Sequence, residues 1–199
     1  LKASYVQVEG VRHYLYEAGE GPPVLLLHGF TGSSSSFEQV VAVLQSDFHV
    51  VAVDLIGHGR TDAPAAAEPY RLNRVVNYLM QLMDARGHGT FACLGYSMGG
   101  RTGLALACEF PERVSALVLE SASPGLKTTI EQMQRIQRDE ALADWIEDAG
   151  IDAFVDYWGK IPLFQSQMAL SDSEREREDL IRDAGAAHYG IPGRKIYGN

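Results

Sequence analysis

The chain is 199 residues long, carries a formal net charge of −9, and is 46% hydrophobic and 22% charged. These values describe one globular domain with a sizeable core, and they exclude nucleic acid and anionic membrane, which a field of that sign repels. An anionic small molecule stays open, because it responds to its local pocket rather than to the total charge.

The chain opens on Leu1 rather than methionine, as a fragment or an unusual start codon would give. It shows neither a basic-then-apolar leader nor an apolar run long enough to span a bilayer, so the expected compartment is the cytoplasm. Residues 4–9 and 12–17 alternate around Gly10, which predicts an antiparallel hairpin. Residues 24–27 form a short continuous apolar run of the kind buried in a parallel sheet. A loop rich in glycine and serine, 29–36, leads to a helix over 37–44, and the next buried strand, 49–55, ends in the turn Gly57-His58-Gly59. Over 72–85, Leu72, Val75, Val76, Leu79, Leu82 and Met83 recur at helical spacing and define one apolar face. A strand over 91–94 and a small-residue helix over 101–110 bracket a glycine-flanked serine, and 114–119 is a further strand. Cys93 and Cys108 lack the spacing of a disulfide or metal site and read as buried thiols of a reducing compartment. Strands alternating with helices predict an α/β fold, a mostly parallel sheet with helices on both faces.

After Ser123 the pattern changes. Helices over 128–149, 151–158 and 171–184 are rich in charge or polar, and no strand-like run follows. The chain therefore divides into a core over 1–123, a helical lid over 124–184 and an irregular tail over 185–199. Such a lid would cover the strand ends, where open α/β sheets bind their ligands.

The chemistry concentrates in Gly95-Tyr96-Ser97-Met98-Gly99-Gly100. Strand, glycine-flanked serine and helix together make a nucleophile elbow, in which only glycine-sized neighbours let strand and helix approach so closely. The serine oxygen then stands clear of the sheet above a helix N-terminus, which favours a developing anion. The bland alternative is a chance match in a glycine-rich turn. A second site is Leu27-His28-Gly29-Phe30 at the end of a strand. An oxyanion hole needs two backbone N–H donors, and Phe30 and Met98 are the candidates; the alternative is that His28 and Gly29 merely make a tight turn. Asp54 reads as the residue that orders the turn through Gly57-His58-Gly59, since both it and His58 precede the serine. Arg101 lies four residues after Ser97 and projects toward the same space, where a guanidinium needs an anion. Its alternative is an internal salt bridge to Glu131 or Asp139. No metal spacing and no phosphate loop ending in lysine occurs, so no metal or cofactor is expected.

These three motifs, Leu27 to Phe30, Val53-Asp54 with Gly57-His58-Gly59, and Gly95 to Gly100, resemble the α/β-hydrolase superfamily. Within it the chain resembles the 2-succinyl-6-hydroxy-2,4-cyclohexadiene-1-carboxylate synthase family of menaquinone biosynthesis. That narrower likeness rests on Gly99-Gly100-Arg101, Ser123-Pro124-Gly125-Leu126, Arg135 with Arg138, and Phe154-Val155-Asp156-Tyr157-Trp158 followed by Pro162-Leu163-Phe164. The resemblance spans residues 24 to about 182. It implies a lyase rather than an esterase: a proton is removed alpha to the succinyl ketone, and pyruvate leaves a substrate bearing three carboxylates. Ser97 would act as base, with the N–H groups of Phe30 and Met98 on the enolate oxygen. Arg101 and Arg135 would hold carboxylates, with Trp158 as a lid contact and Arg182 as a further match at altered spacing.

The same resemblance places an acid and a histidine beyond the lid, after two further strands, and neither strand is recognisable here. His188 is the one histidine after Ser97, and it sits in the irregular tail. The last strands of the fold are thus expected to be missing, with impaired catalysis and an exposed sheet edge through which a homodimer could form. A small carboxylesterase and a non-catalytic binding protein or inactive fragment are the competing readings.

Overall fold

Two short apolar runs form the centre of the sheet. Strands β3 (Pro23–Leu27) and β4 (His49–Val53) pair in parallel, with Val24 opposite Val50 and Leu27 opposite Val53. Residues 2–162, together with Ser171 and Ser173, are described in the computed structural model. The hairpin β1 (Lys2–Val8) and β2 (Val11–Ala18) turns at Glu9 and Gly10, and β2 adds antiparallel to β4. On the other side β5 (Phe91–Tyr96) pairs parallel to β3, and β6 (Val114–Glu120) pairs parallel to β5. The six-stranded order is β1-β2-β4-β3-β5-β6. A mostly parallel sheet was the expectation, and it holds.

The two-residue period of the strands decides which helix each side chain meets. Leu25, Leu27, Val51, Val53 and Cys93 share one buried cluster with Val76, Leu79, Leu82 and Met83 of α2 (Leu72–Ala85) and Leu106 of α3 (Met98–Glu109). Val24, Leu26, Val50 and Ala52 form a second cluster with Phe37 and with Val41 of α1 (Glu38–Leu44). Helices therefore cover both faces, and burying each Leu or Val contributes about 1.5–3 kcal/mol. Phe37 belongs to a 3-10 turn, Ser34–Phe37, within the segment expected as loop and first helical residue. The strand expected over 49–55 stops at Val53, because the next residues turn: the Asp54 N–H bonds the Tyr14 carbonyl at 3.1 Å, and His58 N–H bonds the Leu55 carbonyl.

No strand follows β6 among the described residues, and Val118 and Leu119 on it are 55% and 41% exposed. Helix α4 (Thr129–Ala149) starts at a reciprocal cap. The Glu131 N–H donates to Thr128 Oγ1 at 3.2 Å and the Thr128 N–H to Glu131 Oε2 at 3.0 Å. It buries only Ala143, ends at Gly150 with φ 85°, and passes into α5 (Ile151–Gly159), which buries Phe154. Apart from Ser171 and Ser173, the expected helix over 171–184 lies outside the described residues, as do the tail over 185–199, Arg182 and His188. Among the described residues no helix is long and apolar enough to cross a membrane.

What places α3 is the absence of side chains at its start. A Cβ on Gly95 would sit 2.6 Å from Gly100 Cα, and one on Gly99 would meet the Leu27 carbonyl and lie 2.6 Å from the His28 carbonyl oxygen. These neighbours are backbone and cannot swing aside. Gly99→Ala is therefore expected to lower the unfolding free energy by about 3 kcal/mol. Gly89→Ala, where nothing lies within 4 Å, should leave it nearly unchanged. Urea denaturation of the two variants beside the parent chain checks this.

Candidate active site

Ser97 sits between β5 and α3 with φ 52° and ψ −111°, a conformation that costs a non-glycine residue about 1–3 kcal/mol. The surrounding bonds hold it there. Its N–H donates to the Glu120 carbonyl at 2.8 Å, and its carbonyl accepts from the Arg101 N–H at 3.1 Å. Its hydroxyl makes no hydrogen bond to the described residues. Helix α3 begins at Met98, earlier than the expected residue 101, so the serine itself is the N-cap.

The peptide joining Gly29 to Phe30 lies beside this serine. A Cβ on Gly29 would fall 3.4 Å from Ser97 Cβ and 2.8 Å from the Tyr96 ring. His28 fixes that peptide from beneath. Its Nδ1–H donates to the Gly29 carbonyl at 2.8 Å, while its Nε2 accepts the Leu55 N–H at 3.0 Å. Because the peptide is planar and trans, anchoring the Gly29 oxygen on His28 points the Phe30 N–H the opposite way. The tight turn is therefore present, and within it the Phe30 N–H is directed away from His28. His28 is fully buried, and desolvation pushes its pKa down to about 4 against the backbone hydrogen bond that raises it. It stays neutral with both ring nitrogens engaged, so it is no base for Ser97.

Asp54 orders the neighbouring turn as the sequence suggested. Its Oδ1 accepts the Ser34 N–H at 2.6 Å and its Oδ2 the Arg60 N–H at 2.8 Å. The Thr61 hydroxyl donates to its carbonyl at 2.6 Å. Within that turn His58 is buried, its ring tilted 5.1 Å from the His28 ring and edge-on 6.1 Å from the Phe30 ring. Burial, with the adjoining His28, pulls its pKa down to about 3.

The structure gathers Ser97, Met98, the Gly29–Phe30 peptide and Trp158, whose ring packs edge-on to Phe30 at 5.3 Å. Arg101 lies one helical turn beyond Ser97, exposed, with no ion-pair partner among the described residues. The carboxylates weighed as its internal partners are taken: Asp139 by Arg135, Glu131 by the Thr128 cap. Arg135 Nε lies 2.8 Å from both Asp139 oxygens on the same face of α4. Two residues at the site belong to motifs read in the sequence but had no role of their own there. Tyr96 carries a half-exposed ring against Gly29, and Phe154 is fully buried beside Phe30. Their signal was position alone, next to the serine and one turn before Trp158. Among the described residues no group of three or more His, Cys, Asp or Glu side chains is placed to hold a metal.

Three buried histidines make acid stability a readout of this packing. Burial lowers His13 and His28 to about 4 and His58 to about 3, from an ordinary 6.5. The folded chain thus binds fewer protons than the unfolded chain below pH 6.5, and stability falls as pH drops from there toward 4 and below. The urea midpoint should be flat above pH 7 and decline steeply from pH 6.5 to 4. His13→Phe, which keeps the contact with Tyr78 and removes a proton site, should make that decline shallower.

Known proteins place the chain. A family profile for the alpha/beta hydrolase fold matches residues 22–180. The chain is 46% identical over 173 residues to a Bacillus subtilis protein described as a 2-succinyl-6-hydroxy-2,4-cyclohexadiene-1-carboxylate synthase, covering 85% of this chain and 62% of that protein. It is 39% identical over 100 residues to a human serine hydrolase-like protein, half of this chain and 49% of that one. Among solved structures, MenH from S. aureus superposes with a TM-score of 0.82 at 32% identity, covering 94% of this chain and 70% of the other. The chain thus spans less than two thirds of its Bacillus relative. With the elbow, the Gly29–Phe30 peptide and the sheet order all in place, the chain belongs to the α/β-hydrolase fold family.

Proposed function

We propose that this chain carries the serine half of a menaquinone-pathway lyase site that eliminates pyruvate from a tricarboxylate. Ser97 Oγ takes the proton alpha to the succinyl ketone, and the electron pair moves onto the ketone oxygen. The N–H groups of Phe30 and Met98 receive that enolate. Collapse of the enolate forms a carbon–carbon double bond and breaks the carbon–oxygen bond to the pyruvyl group, which leaves as its enolate and takes up a proton to become pyruvate. Ser97 needs a histidine and an acid to hold its proton balance, and His188 lies outside the described residues. Arg101 and Arg135 hold substrate carboxylates, Arg135 by releasing Asp139, and Trp158 closes over the substrate from the helical lid. The reading rests above all on Arg101. It is an exposed guanidinium one turn from an elbow serine, without an internal carboxylate among the described residues, in a chain similar to the Bacillus synthase. A plain esterase needs the elbow and the oxyanion peptide but no such cation.

The experiment offers the chain the pathway intermediate and, separately, an activated acetyl ester, following pyruvate and acid release. Pyruvate release supports the lyase, ester turnover alone the esterase, and neither a binding role. Dicarboxylate affinity, measured by calorimetry, should fall roughly ten- to a hundredfold in Arg101→Ala, as loss of a charged hydrogen bond implies. Arg101→Lys should recover only part, since an ammonium lacks the planar fork. Equal dicarboxylate affinity of parent and Arg101→Ala would sink the clamp and move the esterase ahead.

A further inference from the structure

Helix α5 carries a device that acts on the oxyanion peptide from the side opposite His28. Of all the residues in α4 and α5, only Ala143 and Phe154 are buried, and Phe154 is completely so. Its ring lies 6.1 Å from Phe30 at an interplanar angle of 63°, and 5.4 Å from Trp158, one turn further along α5. Trp158 meets the same Phe30 ring at 5.3 Å and 84°, and His58 meets it from the sheet side at 6.1 Å. Among the described residues three rings therefore pack against the Phe30 side chain, two of them from α5. Edge-to-face packing of this kind is directional, because a ring's positive edge seeks a negative face. Ile151 and Val155 pack against the main core cluster.

We propose that Phe154 is a positioning residue, which fixes the direction of the Phe30 N–H by locking the Phe30 ring. The physical link is the coupling of side-chain rotamer to backbone dihedrals: a ring confined to one rotamer narrows the φ its residue can take. His28 holds the carbonyl side of the peptide and Phe154 the residue on its amide side. Docking of α5 and alignment of the donor are thus one event, and the site is complete only when the helix is seated. This inference rests on the reading of Phe30 as an oxyanion donor.

Its test has two arms. Amide hydrogen exchange followed by mass spectrometry reads residues 28–32 directly, with no substrate. In Phe154→Ala, exchange over 28–32 should quicken at least about tenfold while β4 and α3 keep their protection. Phe154→Tyr, which restores the ring, should return it to the parent rate. In the kinetic arm, on whichever substrate the parent chain turns over, kcat should fall about tenfold with KM within about twofold. That is the mark of a misaligned donor, since displacements near 1 Å cost as much as 10²-fold. If Phe154→Ala loosens the whole sheet, Phe154→Leu, which keeps bulk without the ring, decides in the same assay. Unchanged exchange over 28–32 in the folded variant overturns the proposal, as does a rise in KM with kcat intact, which would make Phe154 a substrate contact. A parent chain that releases no pyruvate while Phe154→Ala still loosens 28–32 would remove the lyase reading and leave the positioning role standing.

Discussion

The site depends on how closely α3 approaches the ends of β3 and β5. With Gly95, Gly99 and Gly100 in place, the first turn of α3 rests on the carbonyls of Leu27 and His28 and on Gly95 itself. Nothing larger than hydrogen fits between these backbone segments. That approach leaves Ser97 no room for an ordinary turn, and it takes φ 52°. Strain of this kind persists only where the surroundings over-determine it. Here the constraint is the bonds to the Glu120 carbonyl and the Arg101 N–H, together with the packed sheet beneath. The same contact brings Gly29 against Ser97, so the serine and its neighbouring peptide share one cause.

A second layer of the design is a set of buried polar groups at the strand ends. His28 bridges the Gly29 carbonyl and the Leu55 N–H, and Asp54 bridges the Ser34 and Arg60 N–H groups. Each ties the loop after β3 to the turn after β4. Burial keeps His28 and His58 uncharged, so they act as fixed dipoles and packing surfaces rather than as proton carriers. The histidines nearest the site in the described fold are thus structural by their environment.

The charge distribution separates substrate attraction from the whole-molecule field. The chain carries −9 overall, yet the cation next to Ser97 has no internal carboxylate among the described residues. Most other arginines with assigned partners are tied locally: Arg74 to Glu9 and Glu68, Arg86 to Glu17, Arg113 to Asp84, Arg135 to Asp139. The more exposed of these, such as Arg135–Asp139, contribute little to stability.

Much of this was legible in the amino-acid order, for reasons that can be named. Val24 to Leu27 and His49 to Val53 are short apolar runs, which only a sheet buried on both faces accommodates, and Leu72 to Ala85 shows a helical period with no ambiguity. The glycines around Ser97 announced an elbow because their steric requirement is local in sequence. The alternatives for His28 and Arg101 stayed open because each depends on what folds against it from far along the chain. Leu55 settles the His28 tautomer from 27 residues away, and Arg135 occupies the Asp139 that Arg101 was weighed against. The burial of Phe154 against Phe30 joins residues 124 positions apart, and no local period encodes such a contact. Sequence alone determined the elements and the serine's strained turn, because backbone sterics and hydrophobic period act over a few residues. Tertiary structure decided which histidines are neutral, which cation lacks a carboxylate partner among the described residues and which rings pack against Phe30, because burial and pairing are properties of the assembled chain.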